Sequence, residues 1–280
     1  MTLKPSALAL AVALASLAAL PAPAKDWTKV RIGIEGAFPP WNATTADGKL
    51  VGLDVDLLAD LCKRAKVECE LIANEWSSIV PSLNAGKFDM VMSLGINEAR
   101  KKIVDFTVPY ATGAATFTVS KSGGLAALPL AQQRLDLTDK AKADPVMAEI
   151  RKILKGKTVG VVQSTSHEQL IRQYFGDDVS VRTYKTSQER DLDLIAGRID
   201  IGFDSAVYAA TLHDKPGNED IALAGPLIKG PPLATDVAMG VRKGDDDLRA
   251  IFDKAIKEAA GDGTIRTIST KWSKLDLTPQ

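Results

Sequence analysis

Apolar positions along this chain switch between two spacings. Val30-Arg31-Ile32-Gly33-Ile34 has the dense apolar character of a strand. Across 53–66, Leu57, Leu58, Leu61, Cys62 and Ala65 recur at helical spacing. Asp54 and Asp56 fall in the first turn of that helix, where carboxylates suit the helix dipole. Asp47-Gly48 before it reads as a hairpin turn. Strands are predicted at 69–73, 89–94 and 116–120. A short helix is predicted at 77–85, capped by Ser77 and stopped by Gly86. The series then restarts with a helix at 148–154, a strand at 157–163 and a helix capped by Ser164-Thr165-Ser166 that runs to Phe175. A strand at 179–184, a helix at 187–197 and a strand at 199–203 follow. Residues 234–242 read as extended, and 245–260 and 264–272 as helices. Strands alternating with helices imply an α/β chain with largely parallel sheets, and two such series imply two lobes. The turn residues Ser122-Gly123-Gly124 and the stretch from Gly225-Pro226 to Pro231-Pro232 break the pattern, as surface loops or lobe crossings.

The N-terminus follows neither spacing. Lys4 is its single charge, an Ala/Leu/Val run fills 7–20, and Pro21-Ala22-Pro23-Ala24 ends in an Ala-x-Ala pattern. This is the layout of a secretory signal peptide cleaved after Ala24, and the run is shorter than the roughly 20 residues a membrane span requires. The mature protein is then exported and soluble. Cys62 and Cys69 agree with export. Their spacing is not that of a redox or zinc motif, and an even count in an exported chain favours one disulfide over two free buried thiols.

Charge narrows the function. The 280 residues carry 35 Lys plus Arg and 35 Asp plus Glu. Such neutrality argues against nucleic acid and against a polybasic membrane surface. No phosphate-binding Gly-rich loop and no Gly-x-Ser-x-Gly elbow occurs. With only His167 and His213 in the chain, a histidine metal cluster is not expected, nor is any cofactor. His167 reads as a polar residue of a first helical turn or as part of a pocket rim, and His213 as a solvated loop residue. The segment from Phe88 to Tyr110 is more informative: a strand ends in small polar residues, and a turn then presents Arg100. Backbone N–H groups there can meet an anion, and Arg100 can clamp a carboxylate through two parallel hydrogen bonds.

Several motifs now fall together: Glu35-Gly36-Ala37-Phe38-Pro39-Pro40-Trp41, Gly52-Leu53-Asp54-Val55-Asp56, the Cys62 and Cys69 pair, Glu98-Ala99-Arg100 with Asp105-Phe106-Thr107-Val108-Pro109-Tyr110, and Thr158-Val159-Gly160-Val161. The tail from Val241-Arg242-Lys243-Gly244-Asp245 through Asp262-Gly263-Thr264 to Lys271-Trp272 belongs with them. Over essentially the whole mature chain, the sequence resembles the periplasmic solute-binding proteins of polar amino acid ABC importers, solute-binding protein family 3. This group includes lysine/arginine/ornithine-, histidine-, octopine- and nopaline-binding members. Residues 137–154 and the ending 275–280 look most like the opine-binding branch.

The resemblance implies a type II, Venus-flytrap fold: two α/β lobes joined by two hinge strands, with ligand in the cleft. Lobe 1 would comprise 25–111 and 238–280, and lobe 2 112–237, with crossings near 112–117 and 224–237. Arg100 would bind the ligand α-carboxylate, helped by backbone N–H groups of Ser93 and Gly95, with Thr165 and Ser166 facing it across the cleft. Asp204 would pair with the α-ammonium, or Ser205 would stand there if the shortened strand after Asp200 is aligned differently. Phe38 and Trp76 would wall the aliphatic stem, and Glu35 would face the distal end. Gly95 stands where many members have a hydroxyl residue. Phe38 and Trp41 have a second reading as core residues, Asp54 and Asp56 as helix-start residues, and Trp272 as packing.

The implied function is a monomeric carrier. It would capture a cationic amino acid, or an arginine-derived opine, and deliver it to an inner-membrane permease coupled to an ATPase. The alternative on the same scaffold is a periplasmic cyclohexadienyl dehydratase acting on prephenate or arogenate. Such a substrate asks for more cations and a placed general acid. Glu35 at the distal end argues against a second carboxylate there.

Overall fold

The computed structural model describes Lys25 and residues 27–125, 127–212 and 217–279. The signal peptide expected in 1–24 and the solvated role expected for His213 lie outside the described residues. The chain opens with strand β1 (Lys29–Ile34) and a small antiparallel sheet of β2 (Ala37–Phe38), β3 (Asn42–Thr44) and β4 (Leu50–Val51). Helix α1 (Leu53–Ala65), β5 (Glu68–Ala73), α2 (Trp76–Asn84), β6 (Met90–Gly95), the single turn α3 (Glu98–Lys101), β7 (Asp105–Phe106) and β8 (Ala111–Thr112) complete the first lobe's N-terminal part. The second lobe holds β9 (Ala115–Ser120), β10 (Arg134–Asp136), α4 (Lys140–Leu154), β11 (Thr158–Val162) and α5 (Ser166–Phe175). It continues with β12 (Ser180–Tyr184), α6 (Ser187–Ile195), β13 (Ile201–Ser205), α7 (Ala206–Ala210) and β14 (Ile221–Lys229). Strand β15 (Asp236–Val241) then returns to the first sheet, and α8 (Asp246–Gly261) and α9 (Thr264–Ser273) pack on α1.

Each lobe has one six-stranded sheet and its own core. The first runs β5-β1-β6-β15-β7 with β8 beside β15, and the second runs β10-β14-β9-β13-β11-β12. Ile32, Leu57, Leu61, Met239 and Phe252 centre the first core, and Phe117, Val161, Ile171 and Phe203 the second. The chain passes between sheets between Thr112 and Ala115 and again between Lys229 and Asp236.

Four local outcomes differ from the sequence pattern. The sheets are mixed rather than largely parallel: β9 and β15 run antiparallel to their neighbours. Both are entered directly from the other sheet, without the helical crossover that enforces parallel pairing. Gly225-Pro226 does not break the strand pattern but sits inside β14, as an irregularity between Ala224 and Ile228, where the Ala224 and Pro226 carbonyls accept from Thr116 Oγ1. A bulge is where a strand tolerates a residue with no N–H. Ser77 is not a cap, since α2 begins one residue earlier, at Trp76, with Glu75 in the capping position. Helix α4 begins at Lys140, well before Ala148, despite Pro145.

Cys62 and Cys69 form a disulfide with Cα atoms 6.2 Å apart, fastening the last turn of α1 to β5. Closing so short a loop contributes about 2–3 kcal/mol in the chain-entropy model. A Cys62→Ser/Cys69→Ser variant is expected to lose about that amount in urea unfolding, without change in ligand affinity, because neither residue reaches the cleft.

Candidate ligand-binding site

The carboxyl ends of the parallel strands in both sheets face one cleft with a cavity of about 100 Å³. Glu35, Phe38, Trp76, Ser93, Gly95, Arg100, Thr165, Ser166 and Asp204 all line it. So do Trp41, His167, Ser187, Ser205 and Ala234. Contacts bridge the lobes around this cleft. Phe38 stacks on Tyr208 of α7, ring centroids 5.5 Å apart and nearly parallel. Arg100 Nη2 donates to the Ser164 carbonyl at 3.3 Å. The crossing segment is held to the second lobe, where the Ala234 N–H donates to Ser166 Oγ at 3.1 Å.

Arg100 owes its position to the turn after β6. Asn97 caps α3 by accepting the Arg100 N–H at 2.8 Å, which turns the guanidinium back to donate to the Gly95 carbonyl at 2.9 Å. The guanidinium also lies over the Trp76 ring, 5.3 Å from its centroid, so that ring face serves Arg100. Among the described residues no carboxylate pairs with Arg100, and burial lowers it to about 10. Opposite stands the N-terminus of α5. The Thr165 hydroxyl accepts the Glu168 N–H and donates to the Val162 carbonyl, so Thr165 is a cap first. A guanidinium beside a helix N-terminus forms an anion site.

Ser93 is differently engaged than the resemblance implied. Its N–H donates to Tyr110 Oη at 3.0 Å, and its hydroxyl donates to Asp54. The N–H expected to meet a ligand carboxylate is therefore held by the protein. Asp54 is more than a helix-start residue: fully buried, it also accepts from Asn42 Nδ2 at 2.8 Å and Tyr110 Oη at 2.7 Å. It thereby ties α1 to the floor beneath the cleft. Asp56 turns outward to Trp272 Nε1 at 2.7 Å. Gly95 has its own explanation, because a Cβ there would stand 2.7 Å from both the Ala234 carbonyl oxygen and methyl. The crossing segment fills the place of a hydroxyl side chain.

Asp204 lies at the back of the second-lobe wall, 2% exposed. Its Oδ2 accepts from Ser187 Oγ at 2.6 Å and from Arg190 Nη1, and its Oδ1 accepts the Ser205 N–H at 2.7 Å. His167 Nδ1 is 3.8 Å from that Oδ1, and burial pushes His167 below its ordinary value. Glu35 stands on the opposite lobe. Burial, and then the charge of Asp204, raise it to about 7. Arg190, Ser187 and Ser205 were not singled out from sequence as a group. The signal that points to them is an arginine within the helix Ser187–Ile195, beside strands that carry paired glycines.

Residues 30–275 match the family described as bacterial extracellular solute-binding proteins, family 3. An octopine-binding periplasmic protein of Rhizobium meliloti is 36% identical over 270 residues, covering 89% of this chain and 92% of that protein. An L-arginine-binding protein of Pseudomonas aeruginosa is 34% identical over 280 residues, covering 96% and 97%. The solved structure of an ancestral arginine-binding protein bound to arginine superposes with a TM-score of 0.73 at 29% identity, covering 88% of this chain and 98% of that one. The curated relatives are binding proteins and not enzymes, which sets aside the dehydratase alternative. Among the described residues no helix is long and apolar enough to cross a membrane. The chain belongs to the bacterial extracellular solute-binding proteins, family 3, as a periplasmic amino acid- or opine-binding protein with a two-lobed type II fold.

Proposed function

We propose that the cleft takes an amino acid whose side chain ends in a cation, arginine foremost, or an opine built on one. The loaded protein, a monomer, then presents its closed form to a membrane permease coupled to an ATPase. Glu35 and Asp204 carry the reading. They come from opposite lobes, and closure brings them near enough for the charge of one to raise the other. Two facing carboxylates oppose closure. A ligand with an ammonium for Asp204 and a guanidinium or ammonium for Glu35 converts that opposition into attraction. Its carboxylate, meanwhile, answers the unpaired Arg100. Such a ligand binds the closed state more tightly than the open one, and that difference drives closure. The lobe boundaries near 111–112 and 237–238, with the two crossings as hinges, follow from the same reading. Names of relatives that bind arginine and octopine add support.

A panel of arginine, lysine, ornithine, histidine, octopine, glutamine and glutamate tests it by thermal shift. A ligand at a thousand times its Kd stabilises by about 4 kcal/mol, a shift of several degrees. Arginine or octopine is expected to give the largest rise and glutamate none. Glutamate as the strongest ligand would overturn the role given to Glu35.

A further inference from the structure

Arg190 on α6 is 0% exposed and lies behind the cleft wall. Two glycines make its room. Gly160 on β11 and Gly202 on β13 stand opposite each other in the sheet register. A Cβ on Gly160 would come within 2.9 Å of Arg190 Cγ, and one on Gly202 within 3.1 Å of Arg190 Nε and 2.5 Å of Thr118 Oγ1. Neither has a left-handed backbone, so turn geometry does not call for glycine at either place. In this trough Arg190 donates through Nε and Nη2 to Asp191 Oδ1, at 3.0 and 2.6 Å, and Tyr208 Oη donates to the other Asp191 oxygen at 2.6 Å. Asp191 alone satisfies two of the guanidinium's nitrogens. The third, Nη1, reaches Asp204, a residue of the cleft wall.

We propose that Arg190 is the positioning residue of the ammonium site, holding Asp204 by Oδ2 so that Oδ1 stays turned to the cleft for the ligand's α-ammonium. This rests on the reading of Asp204 as the ammonium acceptor. Oδ1 accepts one hydrogen bond, from the Ser205 N–H, and a carboxylate oxygen accommodates two. The charged and titratable groups around Asp204 are Arg190 and Asp191 behind it, Tyr208 of α7, His167 of α5, and Glu35 across the cleft. Burial alone would push the Asp204 carboxyl up. Arg190 foremost, then His167, Ser187 and the Ser205 N–H, outweigh it and keep the carboxyl below the ordinary range. Without Arg190 the buried carboxyl takes up a proton and no longer attracts an ammonium. A buried ion pair is by itself weak evidence of a stabilising role, so the ligand is the place to look for its effect.

Arginine and 5-guanidinovalerate share guanidinium and carboxylate and differ by the α-amine. Glu35 meets the same guanidinium in both, so its titration moves the two affinities in the same direction. Calorimetry at pH 6 and pH 8 is expected to show wild-type protein preferring arginine at least tenfold at both. In Arg190→Met that preference falls at least tenfold at pH 6 and partly recovers at pH 8, while 5-guanidinovalerate binds within threefold of wild type. Arg190→Lys, which keeps the charge, retains most of the preference. Because Asp191 loses its partner too, Arg190→Met is paired with an Arg190→Met/Asp191→Asn variant that removes the stranded charge, and the same fall is expected there. Equal weakening of both ligands, or an unchanged preference, overturns the proposal. A wild-type protein without any preference overturns the Asp204 reading beneath it.

Discussion

Arg100→Ala is expected to abolish measurable ligand binding and leave the unliganded protein as stable as before, or more so. The guanidinium is lowered to about 10 by burial, with carbonyls of Gly95 and Ser164 and the Trp76 face for company, and among the described residues no carboxylate pairs with it. A cation held that way awaits an anion. Two charge-assisted hydrogen bonds of roughly 1.5–3 kcal/mol each put the loss at about 3–6 kcal/mol, on the order of a hundred- to ten-thousandfold in Kd. The alanine variant no longer desolvates a charge on closing, which is why its stability should not fall. Arg100→Lys keeps the charge but not the fork and is expected between the two. Calorimetric affinity and melting temperature, read together, separate loss of site from loss of fold. An alanine variant with wild-type affinity would remove the basis for the whole site.

What was legible of Arg100 is its setting, a turn after a strand that ends in small polar residues; its role came from the resemblance, and the cap by Asn97 is visible only in the structure. Most of the strand and helix alternation was legible too, since periodicity survives wherever one face of an element is buried. What escaped was polarity used against the pattern. In α6, Ser187, Arg190, Asp191 and Asp193 are buried, whereas Leu192 is 63% exposed. An apolar-face reading of that helix finds Leu194, which is buried, but misplaces Leu192 and misses the buried polar residues. Only the neighbouring strands, with Gly160 and Gly202 in register, explain why an arginine fits inside. Ser93 escaped similarly. Its place in the cleft is set by strand β6, but Tyr110 and Asp54, from elsewhere in the chain, decide that its polar groups face inward. Long-range partners of this kind leave no mark on local spacing.

Affinity for a cationic ligand is expected to rise with pH through about 7 and then level off, and Glu35→Gln is expected to remove that dependence. Burial, followed by Asp204, lifts the Glu35 carboxyl to about 7, so near neutrality it divides between two charge states. A guanidinium favours the ionised one. Below pH 7 binding must first expel a proton, and affinity drops toward tenfold for each unit of pH. Asp204 is held below the carboxylate range, burial pushes His167 below its ordinary value, and Arg100 at about 10 remains charged. Beneath the floor, burial raises the Asp54 carboxyl to about 6, so the comparison with Glu35→Gln is what isolates the share that belongs to Glu35. The unliganded fold should show the opposite trend. A carboxyl raised in the folded state stabilises it below the unfolded value of about 4.5, and that contribution is lost as pH rises through about 7. Glu35→Gln should therefore melt higher than wild type at pH 8 and alike at pH 4.5, while binding arginine about ten- to a hundredfold more weakly at pH 8 for want of the ion pair. Glutamine, with no cation at its tip, serves as the control ligand and should bind both proteins alike. Arginine affinity that is flat from pH 5.5 to 8 in the wild-type protein would mean that the cationic tip lies elsewhere. Opposite pH trends for ligand affinity and apo stability around pH 7, both reduced by one amide, are something that a surface carboxylate at this position would not produce.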